Sequence, residues 1–123
     1  MATELRLNVS FQGENGSYYK PGAIQFSGVT IAQAAQGSDG FIQNIGTSEE
    51  DVTFAVTTHG YLFMRNLDTS HYIKYGPSNG GSMVEFGRLK AGELAILRVA
   101  PGITLRAIAD TAACNVWFHM END

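Results

Sequence analysis

Apolar and polar residues alternate with a period of two near the start of the chain. Leu5, Leu7, Val9 and Phe11 fall on one side of an extended backbone, and Arg6, Asn8, Ser10 and Gln12 on the other. This pattern predicts a half-buried strand over residues 4–12. GENGS (13–17) follows with residues that tolerate turn conformations, and alternation resumes at Ile24 and Phe26. Gly28 predicts a bulge, beyond which Val29 and Ile31 need not keep the register of Ile24 and Phe26. The alanines of TIAQAAQ (30–36) suit a short helix or a strand. The segment is brief, lacks charged ends and stops at GSDG, so it is read as strand.

FIQNIG (41–46) and DVTFAV (51–56) read as strands flanking the acidic TSEED (47–51), a solvated loop. YLFMRNL (61–67) and HYIKYG (71–76) are β-rich runs separated by DTS (68–70), whose Asp and Ser side chains can bond nearby backbone N–H groups; a hairpin is the economical reading. PSNGG (77–81) ends it. SMVEFGRL, ELAILRV, ITLRAIA and NVWFHME follow, punctuated by KAGE, APG and ADTAA. Roughly eight to ten short strands at nearly regular spacing predict an all-β sandwich or barrel. The chain's 123 residues suffice for one domain with a core of its own, so residues 1–123 are expected to form a single β domain. Composition agrees: 44% hydrophobic against 16% charged, with 14 Gly, suits tight turns between strands better than a helical bundle.

The formal net charge of −4 and the scatter of Arg6, Lys20, Arg65, Lys74, Arg88, Lys90, Arg98 and Arg106 provide no basic stripe, so no nucleic acid partner is expected. No apolar stretch is long enough for a membrane-spanning helix, and no membrane partner is expected. Cys114 is the only cysteine, which excludes an internal disulfide. The opening MATELRLNVS lacks the basic head and apolar run of a secretory signal, so synthesis in a reducing cytoplasm is expected and the triplets at Asn8 and Asn15 are read as unused for glycosylation.

The residues offer little basis for catalytic chemistry. His59, His71 and His119 are far apart, Cys114 has no CxxC partner, and the HME at 119–121 lacks the Pro-Cys-x-x-Cys half of a zinc deaminase. AGE and APG are similar to the turns of cupin jelly rolls, but no His-x-His pair accompanies them. There is neither a Gly-x-Ser-x-Gly elbow nor a phosphate-binding loop. The expectation is no catalytic residue, no metal and no cofactor. SEED (48–51) is a calcium candidate in a lectin-like module, with a plain solvated loop preferred. Tyr18, Tyr19, Tyr61, Tyr72 and Trp117 could stack sugars or enter a partner's pocket, with core or sheet-face packing preferred. Tyr18 and Tyr19 are kept as contact candidates, because adjacent residues of a strand place one ring on each face.

The succession IGTSEEDV, YLFMRNLDTSHYIKYG, RLKAGELAILRVAPGITLRAIAD and NVWFHME resembles a group of small virion structural proteins of tailed bacteriophages. In that group a strand ending in Arg-Asn-Leu-Asp runs into a second ending in glycine, and Lys-x-Gly-Glu and Pro-Gly turns bracket the next strands. The resemblance covers about residues 42–123; residues 1–41 match much less clearly, which is where partner-specific contacts could lie. It implies a jelly-roll-like, non-enzymatic subunit, made in the host cytoplasm and located in the virion, that decorates or cements the capsid or sits elsewhere on the particle. The implied partners are the major capsid protein and further copies of itself, a trimer by analogy. Arg65 and Asp68 flank Leu67 at a strand end, where an ion pair or a side-chain to backbone bond would close the turn. The functional alternative has Arg65, Asn66 and Asp68 projecting from a loop tip into a neighbouring subunit. Two rival functions stand beside this one: a carbohydrate-binding or host-surface-binding module of the tail, and a small cupin-like metal enzyme.

Overall fold

The computed structural model describes residues 3–12, 23–34 and 37–123. Every regular element among them is a strand, and there are eleven: β1 (Thr3–Gln12), β2 (Ala23–Gln33), β3 (Ser38–Ile45), β4 (Glu50–Val52), β5 (His59–Asn66), β6 (Ile73–Asn79), β7 (Ser82–Met83), β8 (Gly87–Leu89), β9 (Leu94–Arg98), β10 (Leu105–Ala109) and β11 (Cys114–Asn122). The protein is all-β, and all its strand pairs are antiparallel. The chain divides into two compact units, Met1–Ala35 and Gln36–Asp123.

In the first unit β1 pairs with β2. Leu5 lies opposite Ile31 and Leu7 opposite Val29; past a register shift, Val9 lies opposite Phe26 and Phe11 opposite Ile24. The shift puts one extra residue on β2 between Phe26 and Val29, at the place where Gly28 predicts a bulge. Without it the two halves of the ladder could not both set apolar positions opposite apolar positions, because a one-residue slip exchanges the faces of a strand. Of TIAQAAQ, Thr30 to Gln33 continue this strand, as read from the sequence.

The second unit is a jelly roll. One sheet has the order β3-β11-β5-β9, the other β4-β10-β6-β8, with β7 also pairing to β6. Apart from the β6 to β8 segment, successive strands cross from one sheet to the other. The burial of β5, β10 and β11 alternates with period two, and the inward set builds one core. Leu62, Met64, Val116, Phe118 and Met120 come from the first sheet; Val52, Ile73, Tyr75, Leu89, Leu105, Ala107 and Ala109 come from the second. Asn79 pairs with Ser82 across Gly80 and Gly81, which have φ of 63° and 88°. Positive φ at both central residues is what a two-residue hairpin turn of the right twist demands, and glycine meets it without strain.

Two expectations change. The runs 61–67 and 71–76 are not a hairpin: β5 pairs with β11 and β9, whereas β6 pairs with β10, β7 and β8. Both strands bury one face in the same core, so the chain between them turns a corner from sheet to sheet. Local alternation is identical for a hairpin and for such a crossing, and only the packing of the apolar faces decides. The run 51–56 is also shorter as a strand than expected, since β4 ends at Val52; Phe54 is nevertheless buried and Val56 packs on the core.

Candidate functional site

The outward face of the β3-β11-β5-β9 sheet departs from the composition of a solvated sheet. Antiparallel sheets with one wet face normally show polar residues there. Register places Ile42, Trp117, Arg65 and Leu94 side by side across the four strands, and Gly40, His119, Phe63 and Ile96 in the next row. Ile42 and Leu94 are each 61% exposed, Ile96 39% and Trp117 37%. Among the described residues these are four of the seven exposed large hydrophobics.

The rings of this face are ordered by contacts among themselves. Trp117 and His119 stack with centroids 5.9 Å apart and planes 22° from parallel, and Phe63 meets His119 edge-on at 5.8 Å. His119 Nε2 lies 2.7 Å from Glu121 Oε1, which fixes the imidazole plane from the other side. Gly40 makes room for it: a Cβ there would stand 2.7 Å from His119 Nδ1. The imidazole therefore leans over β3, beside the indole. Arg98 closes one end of the face, its guanidinium 5.4 Å above the Tyr61 ring and paired with Asp123. At the other end the Asn44 side-chain amide donates to Asn115 Oδ1 at 3.0 Å. The result is an apolar and aromatic centre with polar ends, the anatomy of a protein contact surface.

The corner after β5 is built differently. Asn66 is wholly buried; its Nδ2 donates to the carbonyls of His71 (2.9 Å) and Leu89 (3.1 Å), and its Oδ1 accepts the Asp68 N–H at 3.0 Å. One side chain thus ties β5, the corner and the end of β8. Asp68 Oδ2 accepts the N–H groups of Ser70 (2.9 Å) and His71 (2.6 Å) and lies 3.1 Å from His71 Nδ1. The His71 and Ser70 backbone donors hold the Asp68 carboxyl below its ordinary 3.8, against a smaller opposing effect of desolvation and with the His71 ring adding to them.

A pH dependence with a definite sign follows. A carboxyl whose folded pKa is depressed stabilises the fold above its unfolded pKa, and that contribution is lost as pH falls through the folded value. Asp68→Asn is therefore expected to lower the unfolding midpoint at pH 7 but to differ less from the wild type at pH 3. Urea unfolding at the two pH values checks this; an equal gap at both would remove the carboxylate from the account.

The residues singled out in the sequence thus separate. Asp68 makes the side-chain to backbone bonds of a structural turn. Asn66 lies in the interior rather than at a loop tip, so its side chain does not project into a neighbour. Arg65 is exposed on the sheet face, with its Nε donating to the Gly92 carbonyl at 3.3 Å rather than pairing with Asp68. Tyr18 and Tyr19 lie outside the described residues. Tyr61 and Trp117 belong to the outward face, and Tyr72 stands at the corner with the Arg88 guanidinium 4.3 Å over its ring.

In the acidic loop, Glu50 accepts the Gly46 N–H at 2.9 Å, and Arg106 pairs with Asp51 at 2.7 Å and with Glu49 at 3.8 Å. Among the described residues, no three His, Cys, Asp or Glu gather as metal ligands.

Ile42, Phe63, Leu94 and Ile96 were not singled out in the sequence, and His119 was weighed there only as a metal ligand or deaminase residue. Their signal was present in YLFM, LAIL and VWFHM, where apolar residues occupy both phases of a strand. Such runs belong to sheets covered on both faces.

The topology defines the class of protein, a jelly-roll β-sandwich. No protein-family model, no curated protein and no solved structure matches the chain.

Proposed function

We propose that the protein is a non-enzymatic structural subunit of a tailed-bacteriophage particle, which binds the capsid shell through the outward face of its β3-β11-β5-β9 sheet. The observation that carries this reading is the apolar, aromatic composition of a face that an isolated jelly roll would leave wet. Ile42, Trp117, Phe63 and Ile96, with Arg65 among them, would be covered by the shell protein, while Arg98 and the Asn44–Asn115 pair would stay at the rim. Such a subunit stabilises a shell by mass action, because it binds the assembled state better than the loose one. The resemblance of residues 42–123 to virion proteins supports the shell as the partner, and the composition of the face supports it as the surface.

Co-sedimentation with phage particles from which the protein has been stripped or deleted tests the reading. Saturable binding at a fixed ratio to the shell protein is the expected result, and particles that bind none would overturn it. One observation favours a second reading: the stacked Trp117 and His119 beside Phe63 and Tyr61 offer ring faces suited to sugars, as in a host-surface-binding module. A glycan array separates the two, with no signal expected from a shell-binding subunit.

A further inference from the structure

The jelly roll has four sheet edges, and three of them are protected. β3 carries Asp39 on its inward side, where the carboxylate accepts the Ala55 N–H at 2.7 Å. β4 is three residues long, and Asp51 on it is paired with Arg106. The edge opposite β4 is broken into β7 and β8, two and three residues long. Short strands, charges and interruptions are the usual devices against unwanted strand pairing. β9, Leu94-Ala95-Ile96-Leu97-Arg98, has none of them before its last residue.

The phase of its hydrogen bonds is known. Asn66 N–H donates to the Glu93 carbonyl and Val99 N–H to the Gly60 carbonyl, so residues 93, 95, 97 and 99 turn their backbone groups toward β5. Leu94, Ile96 and Arg98 turn theirs to the free edge. Among the described residues, none bonds to them there.

We propose that this edge is a strand-addition site for a second copy of the chain, β9 pairing antiparallel with β9 across a two-fold axis. The strand is self-complementary in one register above the others. With Ile96 opposite Ile96 of the second copy, Leu94 falls opposite Arg98, and all three outward residues exchange both backbone bonds at once. No like charges meet, because each Arg98 faces a leucine and its guanidinium is already held by Asp123 of its own chain. Beside the edge, an apolar cleft of about 220 Å³ lies between the sheets, lined by Leu62, Leu97, Val99, Tyr75 and Leu105, with Phe86 at 72% exposure on its rim. Ala95 and Leu97 of the added strand face this side and come to lie at the cleft.

Area points the same way. Four strands about 4.8 Å apart and about five residues long present roughly 300 Å² of outward face, against about 800 Å² per partner in a stable interface. Pairing through β9 joins two faces into one continuous sheet and doubles the surface offered to a partner. The inference keeps the self-association that the resemblance implies but puts a two-fold dimer in place of the trimer, and it stands whether or not shell binding is found.

The test is made on the free protein in solution. Sedimentation equilibrium across the micromolar range is expected to show a monomer–dimer equilibrium. Amide exchange is expected to accelerate on dilution at Leu94, Ile96 and Arg98 but not at Ala95 or Leu97. Ile96→Pro removes an outward N–H that β5 does not use, and Ile96→Lys sets two like charges across the axis. Both are expected to give monomers with an unchanged circular dichroism spectrum, whereas Ile42→Lys, on the far strand of the same face, remains dimeric. A monomer at every concentration, an assembly of three, a mass insensitive to both Ile96 variants, or concentration-independent exchange at the three amides would overturn the proposal. Should the variants fail to fold, the exchange pattern of the wild type decides by itself.

Discussion

Asn66→Leu is expected to destabilise the jelly roll by about 3 kcal/mol, since it removes the partner of two carbonyls and one N–H, and each buried polar group left unsatisfied costs about 1–3 kcal/mol. Leucine has the branching of asparagine and a larger volume, so no cavity is left and crowding adds to the loss. The backbone of Asn66 keeps its own bonds, N–H to the Glu93 carbonyl and carbonyl from the Gly92 N–H. What is lost is the amide that fastens the end of β5 to the His71 and Leu89 carbonyls. The unfolding free energy from urea titration at pH 7 checks this, and a loss below about 1 kcal/mol would show that the three groups find other partners. Asn66→Ser, too short to span both carbonyls, should fall between leucine and the wild type.

Trp117→Ser is expected to act on binding rather than on folding. Trp117 sits between Ile42 and Arg65 near the middle of the outward face, and central aromatic residues of a contact surface commonly carry about 2 kcal/mol or more, a loss of about thirtyfold in affinity. Its indole is over a third exposed in the free protein, so the unfolding midpoint should move little. Co-sedimentation with stripped particles, read as the concentration for half-saturation, measures the effect. Unchanged half-saturation, with the variant folded, would move the docking surface away from this face while leaving a shell-binding role open.

These two residues also mark where the sequence is informative and where it is silent. Both lie in strands that local pattern predicts, and both fall where alternation puts them, one inward and one outward. The pattern does not say that the inward residue at position 66 is a polar clamp between sheets. Asn-Leu-Asp reads as turn chemistry in a hairpin or in a sheet-to-sheet corner alike, because Asx side chains cap nearby N–H groups in either. The partner that distinguishes the two, the Leu89 carbonyl, lies 23 residues away. The outward face has a similar history. YLFM, LAIL and VWFHM show singly that both phases are apolar, but the rows that bring Ile42, Trp117 and Leu94 together form only when β11 inserts between β3 and β5.

Sequence alone determined the all-β class, most strand positions, the bulge near Gly28, and the turns at 80–81 and 68–70. These rest on side-chain alternation and on backbone preferences, which act within a few residues. Tertiary structure alone decided which strands are neighbours, that the corner at 66–72 crosses the core, that Asn66 is buried, and that β9 is left as an open edge. Those outcomes depend on how apolar faces from distant segments cover one another. Burial is a collective free energy proportional to the area removed from water, and it carries no memory of separation along the chain.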